Sequence, residues 1–285
     1  MGIFILAIML IITAAVIFFK LPYSKTASEF QSAVTDKILN TDKYLDVFRE
    51  DDLENLPLPV QKYFRHCGYL GKPKMSYMKA SFRDVDFKMS AKKTIKIDYV
   101  QYNFVATPDR FAFIDSSLYG IPFEGFDSYN DGTGSMKGII SKMITLFDQK
   151  GKDMDRACLV TVLAECLIIP NVALQSYITW EAIDETHAKA TISWHGVSAS
   201  GIFTFDKDGK VLSFKTGDRT ATDMKGVSRQ ADWSGIYSDY KVINGVMQPT
   251  VLQSIWHFHE GDSVYFNENK ADVTIEYSKM EDIRK

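Results

Sequence analysis

The stretch VSASGIFTFDKDGKVLSFKT, residues 197–216, holds two alternating segments joined by a polar turn. In the first segment, small or apolar side chains occupy every second position: Val197, Ala199, Gly201, Phe203 and Phe205. A period of two places these side chains on one face of a β-strand. The turn DKDG at 206–209 then leads into a second strand at 211–216. The stretch therefore predicts a β-hairpin with one buried face.

The same period recurs on both sides of this hairpin. Alternating segments bounded by turn residues lie at 75–85, 95–104, 110–116, 180–183, 188–195, 235–242, 249–258 and 263–277. Residues 135–148 fit either a helix or a strand, and we favour a strand because the neighbouring strands need partners for their edges. Aromatic residues make up 13% of the chain, which suits a sheet. We expect about ten antiparallel strands in a sheet large enough to curl.

An apolar segment at 157–174, ACLVTVLAECLIIPNVAL, separates the two blocks of strands. It is long enough to span a membrane, but Glu165 lies near its centre and Pro170 breaks the helical run. We predict a buried helix over about 153–169 rather than a second span. The predicted fold class is α+β, with a large curved antiparallel sheet, half-barrel-like, packed on this buried apolar helix.

Residues 2–19 form a second apolar run, GIFILAIMLIITAAVIFF, without a charge. A helix of that length is about 27 Å long, close to the roughly 30 Å core of a bilayer. A transmembrane anchor is therefore predicted at 1–20, and a cleaved signal peptide is the alternative. A juxtamembrane helical linker at 21–55 and a single β-rich domain at 56–285 follow. We expect a single-pass protein of the cell membrane; Lys20 and Lys25 favour a cytoplasmic domain only weakly, so the side stays open.

Composition limits the partners. The chain has 285 residues and a net charge of −3, so it offers no basic field for nucleic acid. Its three cysteines have neither disulfide-framework nor zinc-site spacing, and buried thiols are the simpler interpretation. Neither a metal nor a cofactor is predicted.

The motif LPLPVQKYFRHCG, residues 56–68, opens the β-rich part with a short amphipathic helix. With Pro73, Asp127, Tyr129 and Trp233 it resembles a family of membrane-associated bacterial proteins without an established activity. The β-rich pattern also resembles, by architecture alone, the half-barrel carriers that shuttle lipoproteins or lipids between bacterial membranes. That resemblance implies a lipid or another hydrophobic ligand.

Glu165 is the first of the predicted ligand-binding residues. A carboxylate inside an apolar helix must pair, protonate or face a polar pocket. A structural pair with an arginine or lysine, or a solvent-facing position, is the alternative to a binding role. Asp127, Tyr129, Arg219 and Trp233 are further predicted pocket residues, with turn or core roles as the alternatives.

The sequence contains no Gly-x-Ser-x-Gly elbow, P-loop, dinucleotide-binding glycine motif or HExxH motif, and no catalytic residue is predicted. His257 and His259 share one face of a strand beside Glu260, but a third metal ligand is not evident. The leading hypothesis is a membrane-anchored protein, more consistent with a binding role than with an enzyme, that holds a lipid or other hydrophobic ligand in the half-barrel. A membrane-bound hydrolase using Glu165 or His257/His259 and an envelope scaffold are the alternatives.

Overall fold

The structure is a computed structural model that describes residues 2–21, 23–90, 93–223, 226–270 and 273–278. The α-helices are α1 (Gly2–Lys20), α2 (Lys25–Asn40), α3 (Leu58–Cys67) and α4 (Lys152–Glu165). Short 3₁₀ turns lie at Glu50–Leu53 and Val172–Leu174. The strands are β1 (Tyr77–Ser90), β2 (Lys93–Phe104), β3 (Arg110–Leu118), β4 (Ile121–Asn130), β5 (Thr133–Ile140), β6 (Ile144–Lys150), β7 (Ile178–Ala182), β8 (His187–Trp194), β9 (Val197–Phe205), β10 (Val211–Thr216), β11 (Thr220–Thr222), β12 (Ser228–Gln230), β13 (Asp232–Ile243), β14 (Val246–Phe258), β15 (Gly261–Asn267) and β16 (Thr274–Tyr277).

One antiparallel sheet contains 14 of these strands, in the order β6-β5-β4-β3-β2-β1-β15-β14-β13-β10-β9-β8-β7. β16 pairs with the first half of β1, while β15 pairs with its second half. β11 and β12 form a separate hairpin. The predicted α+β fold with a large antiparallel sheet is confirmed.

The sheet curls around α4, which contacts β4 to β6 near one edge and β8 and β9 near the other. Seven of the eight residues from Ala157 to Ala164 are buried, and Thr161 is the exception. The β4–β5 turn meets the β8–β9 turn, where Asp131 lies 3.2 Å from His195. The regions near the two edges of the sheet are thus brought together across α4.

The turns lie at two opposite ends of the strands, which we call the mouth end and the base end. The mouth end carries the β3–β4, β5–β6 and β14–β15 turns, and the base end carries the β2–β3, β4–β5 and β13–β14 turns. α3 covers the base end. It begins at a proline-rich entry and ends at Gly68, whose φ of 77° provides a left-handed helix stop. Tyr63 on α3 donates a 2.5 Å hydrogen bond to the Leu167 carbonyl and joins α3 to the segment after α4.

α2 lies on the convex face instead. Ser24 caps its first turn by accepting a hydrogen bond from the Ala27 N–H at 3.0 Å. Phe30 and Val34 then pack on aromatic residues that point outward from the sheet: Tyr102, Phe104, Phe111, Phe113 and Phe126. α2 therefore runs from the mouth end to the base end, where Lys37 pairs with buried Asp109.

α1 contributes no buried residue to the domain. Within the described ranges, only the helical stretch that starts with α1 is apolar and long enough to cross a membrane. Eighteen consecutive residues of it have a mean hydropathy of 3.0. Length and composition alone satisfy this criterion, so anchoring stays a prediction.

The structure differs from the sequence interpretation in several elements. It has more strands than the ten expected because β4, β11 and β12 were not recognised and the segment expected at 263–277 is divided between β15 and β16. The ambiguous segment at 135–148 forms β5 and β6. The predicted domain boundary at residue 56 remains a prediction. Phe48 and Leu53 on its N-terminal side lie in the main core.

Candidate functional site

A buried arginine organises the polar groups of the concave face. Arg110 is the first residue of β3 and only 3% exposed. Its Nη1 donates to Asp127 Oδ2 on β4 at 2.8 Å, and its Nε lies 3.2 Å from Glu165 Oε2 at the end of α4. Two carboxylates from different elements therefore meet one guanidinium, which satisfies much of the charge that burial would otherwise penalise.

β2 supplies the remaining partners. Period-two alternation puts Tyr99, Gln101 and Asn103 on the concave face. Asn103 Nδ2 donates to Glu165 Oε2 at 2.6 Å, and Gln101 Oε1 accepts from Arg110 Nη2 at 3.1 Å. The Tyr99 hydroxyl also accepts from Arg110. We call these three residues, with Arg110, Asp127 and Glu165, the buried polar cluster.

Burial and charge act on the cluster in opposite directions. Burial would lower the pKa of Arg110, but Tyr99, Glu165 and Asp127 raise that pKa well above its ordinary value, so the guanidinium is always charged. Burial raises the pKa of Tyr99, so its hydroxyl is neutral. The side chains of Asp127 and Glu165 remain 24% and 16% exposed. Only the carboxylates are therefore accessible to a ligand or water.

Tyr129 and Cys158 flank the cluster. Tyr129 is opposite Arg110 in the β3–β4 ladder, is fully buried, and its hydroxyl has no hydrogen-bond partner among the described residues. The Cys158 thiol donates to Asp127 Oδ1 at 3.7 Å. Burial raises the pKa of this thiol well above its usual value, so the thiol is protonated. Neither group is activated for nucleophilic attack.

Arg219 and Trp233 form a second group, nearer the mouth end. The Arg219 guanidinium lies 4.7 Å from the ring centroid of Trp233 and 5.6 Å from that of Trp256. Its charge is felt at Cys158, where it opposes the rise in the thiol pKa. Within the described ranges Arg219 forms no ion pair, although it is only half-exposed. This arginine is therefore held by aromatic faces and free to meet an anion.

A row of half-buried aromatic side chains leads from Trp233 toward the mouth end. We call it the aromatic strip: Phe87, Trp256, Phe258, Tyr265 and Phe266. Trp256 stacks on Phe258 and on Tyr265 with both pairs of centroids 6.1 Å apart. Trp233 Nε1 donates to the Tyr265 hydroxyl at 3.1 Å. The strip thus presents a partly open apolar surface beside Arg219.

The β11–β12 hairpin lies over the concave face next to this strip. The Arg229 guanidinium is 3.3 Å from the ring centroid of Phe258 on β14. On the other side, Gln149 Nε2 of β6 donates to the Asp223 carbonyl at 2.9 Å. Because β6 and β14 are far apart in the sheet order, the hairpin bridges the concavity.

The convex face carries a different polar arrangement. His257 Nε2 and Ser234 Oγ are 2.8 Å apart, and His257 Nδ1 and Asp262 Oδ1 are also 2.8 Å apart. A serine, a histidine and an aspartate are therefore linked in the order of a hydrolytic triad. Ser234 itself is only 5% exposed.

Two shallow depressions also lie on the convex side. One, of about 400 Å³, is lined by Ile202, Thr204, Lys215, Thr216, Gly217 and Asp232. The other, of about 290 Å³, lies around Asp98 and Asp115. Neither adjoins Glu165. Within the described ranges no group of three or more His, Cys, Asp or Glu side chains is arranged to hold a metal ion.

The structure thus brings Glu165 and Asp127 together through Arg110, places Tyr129 beside them, and joins Arg219 to Trp233. Arg110, Tyr99, Gln101 and Asn103 were not among the predicted site residues. A signal for them exists: the last two are amides on the inward face of a strand, where apolar residues are expected. Whether any of these residues binds a ligand stays a prediction.

Comparison with known proteins assigns the sequence to a family but gives no activity. Residues 46–268 match the model of a family described as a family of unknown function, DUF6544. This agrees with the resemblance carried by the 56–68 motif. No curated protein has detectable sequence similarity to the chain.

Solved structures with a similar arrangement include a LolA-superfamily protein from Nitrosomonas europaea. The identity is 9% and the TM-score 0.42, over 79% of this chain and 96% of that one. Another is a domain assigned to outer membrane lipoprotein sorting from Vibrio parahaemolyticus. Its identity is 10% and its TM-score 0.36, over 74% of this chain and 88% of that one.

Proposed function

The chain belongs to the DUF6544 family of unknown function, and we propose that its domain is anchored to a membrane by α1 and binds an acidic amphiphile on the concave face. The acyl chain lies along the aromatic strip, and the acidic head group pairs with Arg219. The observation that carries this proposal is a half-buried arginine, stacked on Trp233 and Trp256, at the end of a partly open row of aromatic rings.

The apolar part of the site supports an extended ligand. Water-exposed edges of stacked aromatic rings are an unfavourable surface, and an acyl chain that covers them gains about 25 cal/mol for each Å² removed from water. The five rings of the aromatic strip are all half-buried. A chain laid along them removes this surface without displacing the fully buried core.

Arg219 supports an acidic head group. A guanidinium binds carboxylate or phosphate through two parallel hydrogen bonds, and the aromatic faces hold it in place. The buried Arg110 is less suited because Asp127 and Glu165 already pair with it. The partly exposed carboxylates of this cluster also repel an acid, which favours placing the head group at Arg219.

α1 supports a membrane source for the ligand. Its apolar side chains are exposed to the surroundings of the domain, and a lipid bilayer is the environment that stabilises such a helix. An anchored domain then meets amphiphiles at the high local concentration of the membrane.

The test uses the full-length chain in nanodiscs of zwitterionic lipid. The probes are a fluorescent 16-carbon fatty acid and its methyl ester, and energy transfer from tryptophan to the probe reports binding. We expect the acid to bind more tightly than the ester, and Arg219→Gln to weaken acid binding by about tenfold without changing ester binding. The matched control is Arg65→Gln, an exposed arginine of α3 that pairs with Glu50. Absence of binding, or equal affinities for acid and ester in the unchanged protein, would contradict the proposal.

The serine–histidine–aspartate arrangement favours a second candidate, an esterase acting on the convex face. The 2.8 Å contacts of His257 suit a base that takes the Ser234 proton while Asp262 orients the ring. Ser234 is paired with a strand on each side, opposite Lys215 and Ile255, so its own backbone is engaged in the sheet. Lys215 lies opposite Ser234 in the ladder, but its ammonium group already pairs with Asp232 at 2.9 Å.

A serine-reactive fluorophosphonate probe distinguishes this candidate from a structural hydrogen-bond chain. Labelling of the full-length chain that is lost in both Ser234→Ala and His257→Gln supports a nucleophilic serine. Ser193→Ala is the control, because Ser193 is an exposed strand serine bonded to another serine. No labelling, or labelling that survives Ser234→Ala, removes the esterase candidate and leaves the binding proposal untouched.

A further inference from the structure

The turns at the mouth end expose large apolar side chains. Tyr119 in the β3–β4 turn is 89% exposed, and Met143 and Ile144 at the β5–β6 turn are 69% and 58% exposed. Ile121 and Leu146 beside these turns are also exposed. Turns are normally polar, so apolar residues on adjacent turns form a surface that suits an apolar partner.

These turns lie next to the end of α1. Lys142, in the β5–β6 turn, donates from Nζ to the backbone carbonyls of Leu21 and Tyr23. Its Nζ also lies 6.0 Å from the ring centroid of Phe18 on α1. The end of the apolar helix and the residues just after it are therefore in contact with the turn that exposes Met143 and Ile144.

Two lysines border this surface. Lys142 lies in one turn, and Lys93, at the start of β2, places its Nζ 4.2 Å from the ring centroid of Tyr119 in the other. Lysines with long apolar stems and amphipathic aromatic rings are the residues found where a protein meets lipid head groups. Lys20 at the end of α1 adds to the same region.

We infer that the β3–β4 and β5–β6 turns dock on the surface of the bilayer that holds α1. Tyr119, Met143 and Ile144 insert at the boundary between head groups and acyl chains, and Lys93 and Lys142 remain at the phosphates. This inference rests on the proposed anchoring by α1. The partner is a lipid surface rather than another protein because the last residues of the spanning helix touch the same turn.

Docking in this way also orients the ligand site relative to the membrane. The aromatic strip ends at the mouth end, where Phe258 precedes the β14–β15 turn and pairs with Gly261. With the mouth end against the bilayer, an amphiphile passes from the membrane to the strip without crossing bulk water. The base end, with α3 and the Asn244–Gly245 turn, then points away from the membrane.

Depth-dependent quenching of a site-specific fluorophore tests the inference. The full-length chain is reconstituted in phosphatidylcholine vesicles after labelling with an environment-sensitive dye at Tyr119→Cys or Met143→Cys. The control is Val242→Cys, an apolar residue that is 69% exposed near the base end. The three native cysteines are buried and do not compete for the dye. Nitroxide on lipid acyl chains and aqueous iodide serve as the two quenchers.

We expect lipid nitroxide to quench the dye at positions 119 and 143 at least threefold more strongly than at position 242, and iodide to show the opposite order. If all three positions are equally open to iodide while alkaline washing leaves the chain in the vesicles, α1 anchors the protein and the docking inference is wrong. If alkaline washing releases the chain, the anchoring itself is wrong and the docking inference falls with it.

Discussion

Arg110 on β3 lies 3.2 Å from Glu165 at the end of α4, so the carboxylate inside the apolar helix is paired with a cation from the sheet. This contact attaches α4 to the concave face by charge as well as by apolar packing. It also explains how a helix that is otherwise buried tolerates a carboxylate. The pair is shared with Asp127 and Asn103, so a ligand that needs Glu165 as a free base would have to break existing bonds.

Removal of the Arg110 guanidinium should destabilise the domain strongly. Arg110→Met leaves two partly buried carboxylates beside each other without a cation, at a cost of about 3–5 kcal/mol for a buried pair. Chemical unfolding of the full-length chain in detergent micelles measures the change. Arg65→Met is the matched control, because its exposed pair with Glu50 contributes about 0–1 kcal/mol. Equal effects of the two variants would contradict the role assigned to Arg110.

A second substitution at Glu165 should then recover part of the loss. In Arg110→Met/Glu165→Met one of the two unpaired carboxylates is replaced by an apolar side chain of similar length. We expect a coupling free energy of about 1–3 kcal/mol between the two sites in a double-mutant cycle. Additive effects would show that the 3.2 Å contact does not contribute.

Asp115 should destabilise the folded protein at neutral pH, where its carboxylate is charged, but not in acid. Partial burial, and then the nearby charge of Asp98, raise the pKa of Asp115 in the folded state. The stability linked to this group is present below its unfolded pKa of about 3.9 and is lost as the pH rises through the higher folded pKa. Asp115→Asn should therefore stabilise the protein at pH 7, by about 0.5 kcal/mol or less because the site is half-exposed, and have no effect near pH 3.

Thermal unfolding of both proteins from pH 3 to 7 checks this sign. Asp148→Asn is the control, because Asp148 is exposed and pairs with Lys150. It should leave stability unchanged or lower it slightly at pH 7. If Asp115→Asn is less stable than the unchanged chain at pH 7, the charged form of Asp115 stabilises the folded state and the prediction is wrong.

The sheet was largely predictable because its signal is local. Alternation along β9 is read from neighbouring residues, and its inward positions are small or apolar for the same physical reason. β4 was missed because Phe123 and Tyr129 are separated by glycine and charged residues, which hide the period. β11 and β12 were missed because three-residue strands carry too little pattern.

The candidate site was predictable only in part because its contacts are not local. Glu165 and Asp127 stand out in sequence as acids in unusual places, but Arg110 is 55 residues from Glu165 along the chain. Only the curl of the sheet around α4 brings them together. Ser234, His257 and Asp262 are adjacent for a similar reason, since three strands must align before the contacts exist.

The three cysteines should be unreactive in the folded protein. Burial raises the pKa of the Cys67 thiol to about 12, and it also raises the pKa values of the Cys158 and Cys166 thiols well above the usual value. A thiol-disulfide reagent at pH 8 should modify none of them in the full-length chain and all three after unfolding in guanidinium. Rapid modification of a single thiol in the folded chain would show that its part of the core opens.

Closure of the sheet should depend on Gly132 more than on a glycine of the same conformation elsewhere. Gly132 in the β4–β5 turn and Gly120 in the β3–β4 turn have φ values of 80° and 79°, so alanine meets the same backbone strain at both. A Cβ on Gly132 would lie 2.7 Å from the Cβ of His195, whereas a Cβ on Gly120 meets nothing within 4 Å. The β8–β9 turn must therefore move away in Gly132→Ala. We expect this variant to be about 1–3 kcal/mol less stable than Gly120→Ala in thermal or chemical unfolding. His195→Gly should restore much of that difference, because it removes the atoms that clash; equal stabilities of the two alanine variants would mean that the two ends of the sheet do not meet at these turns.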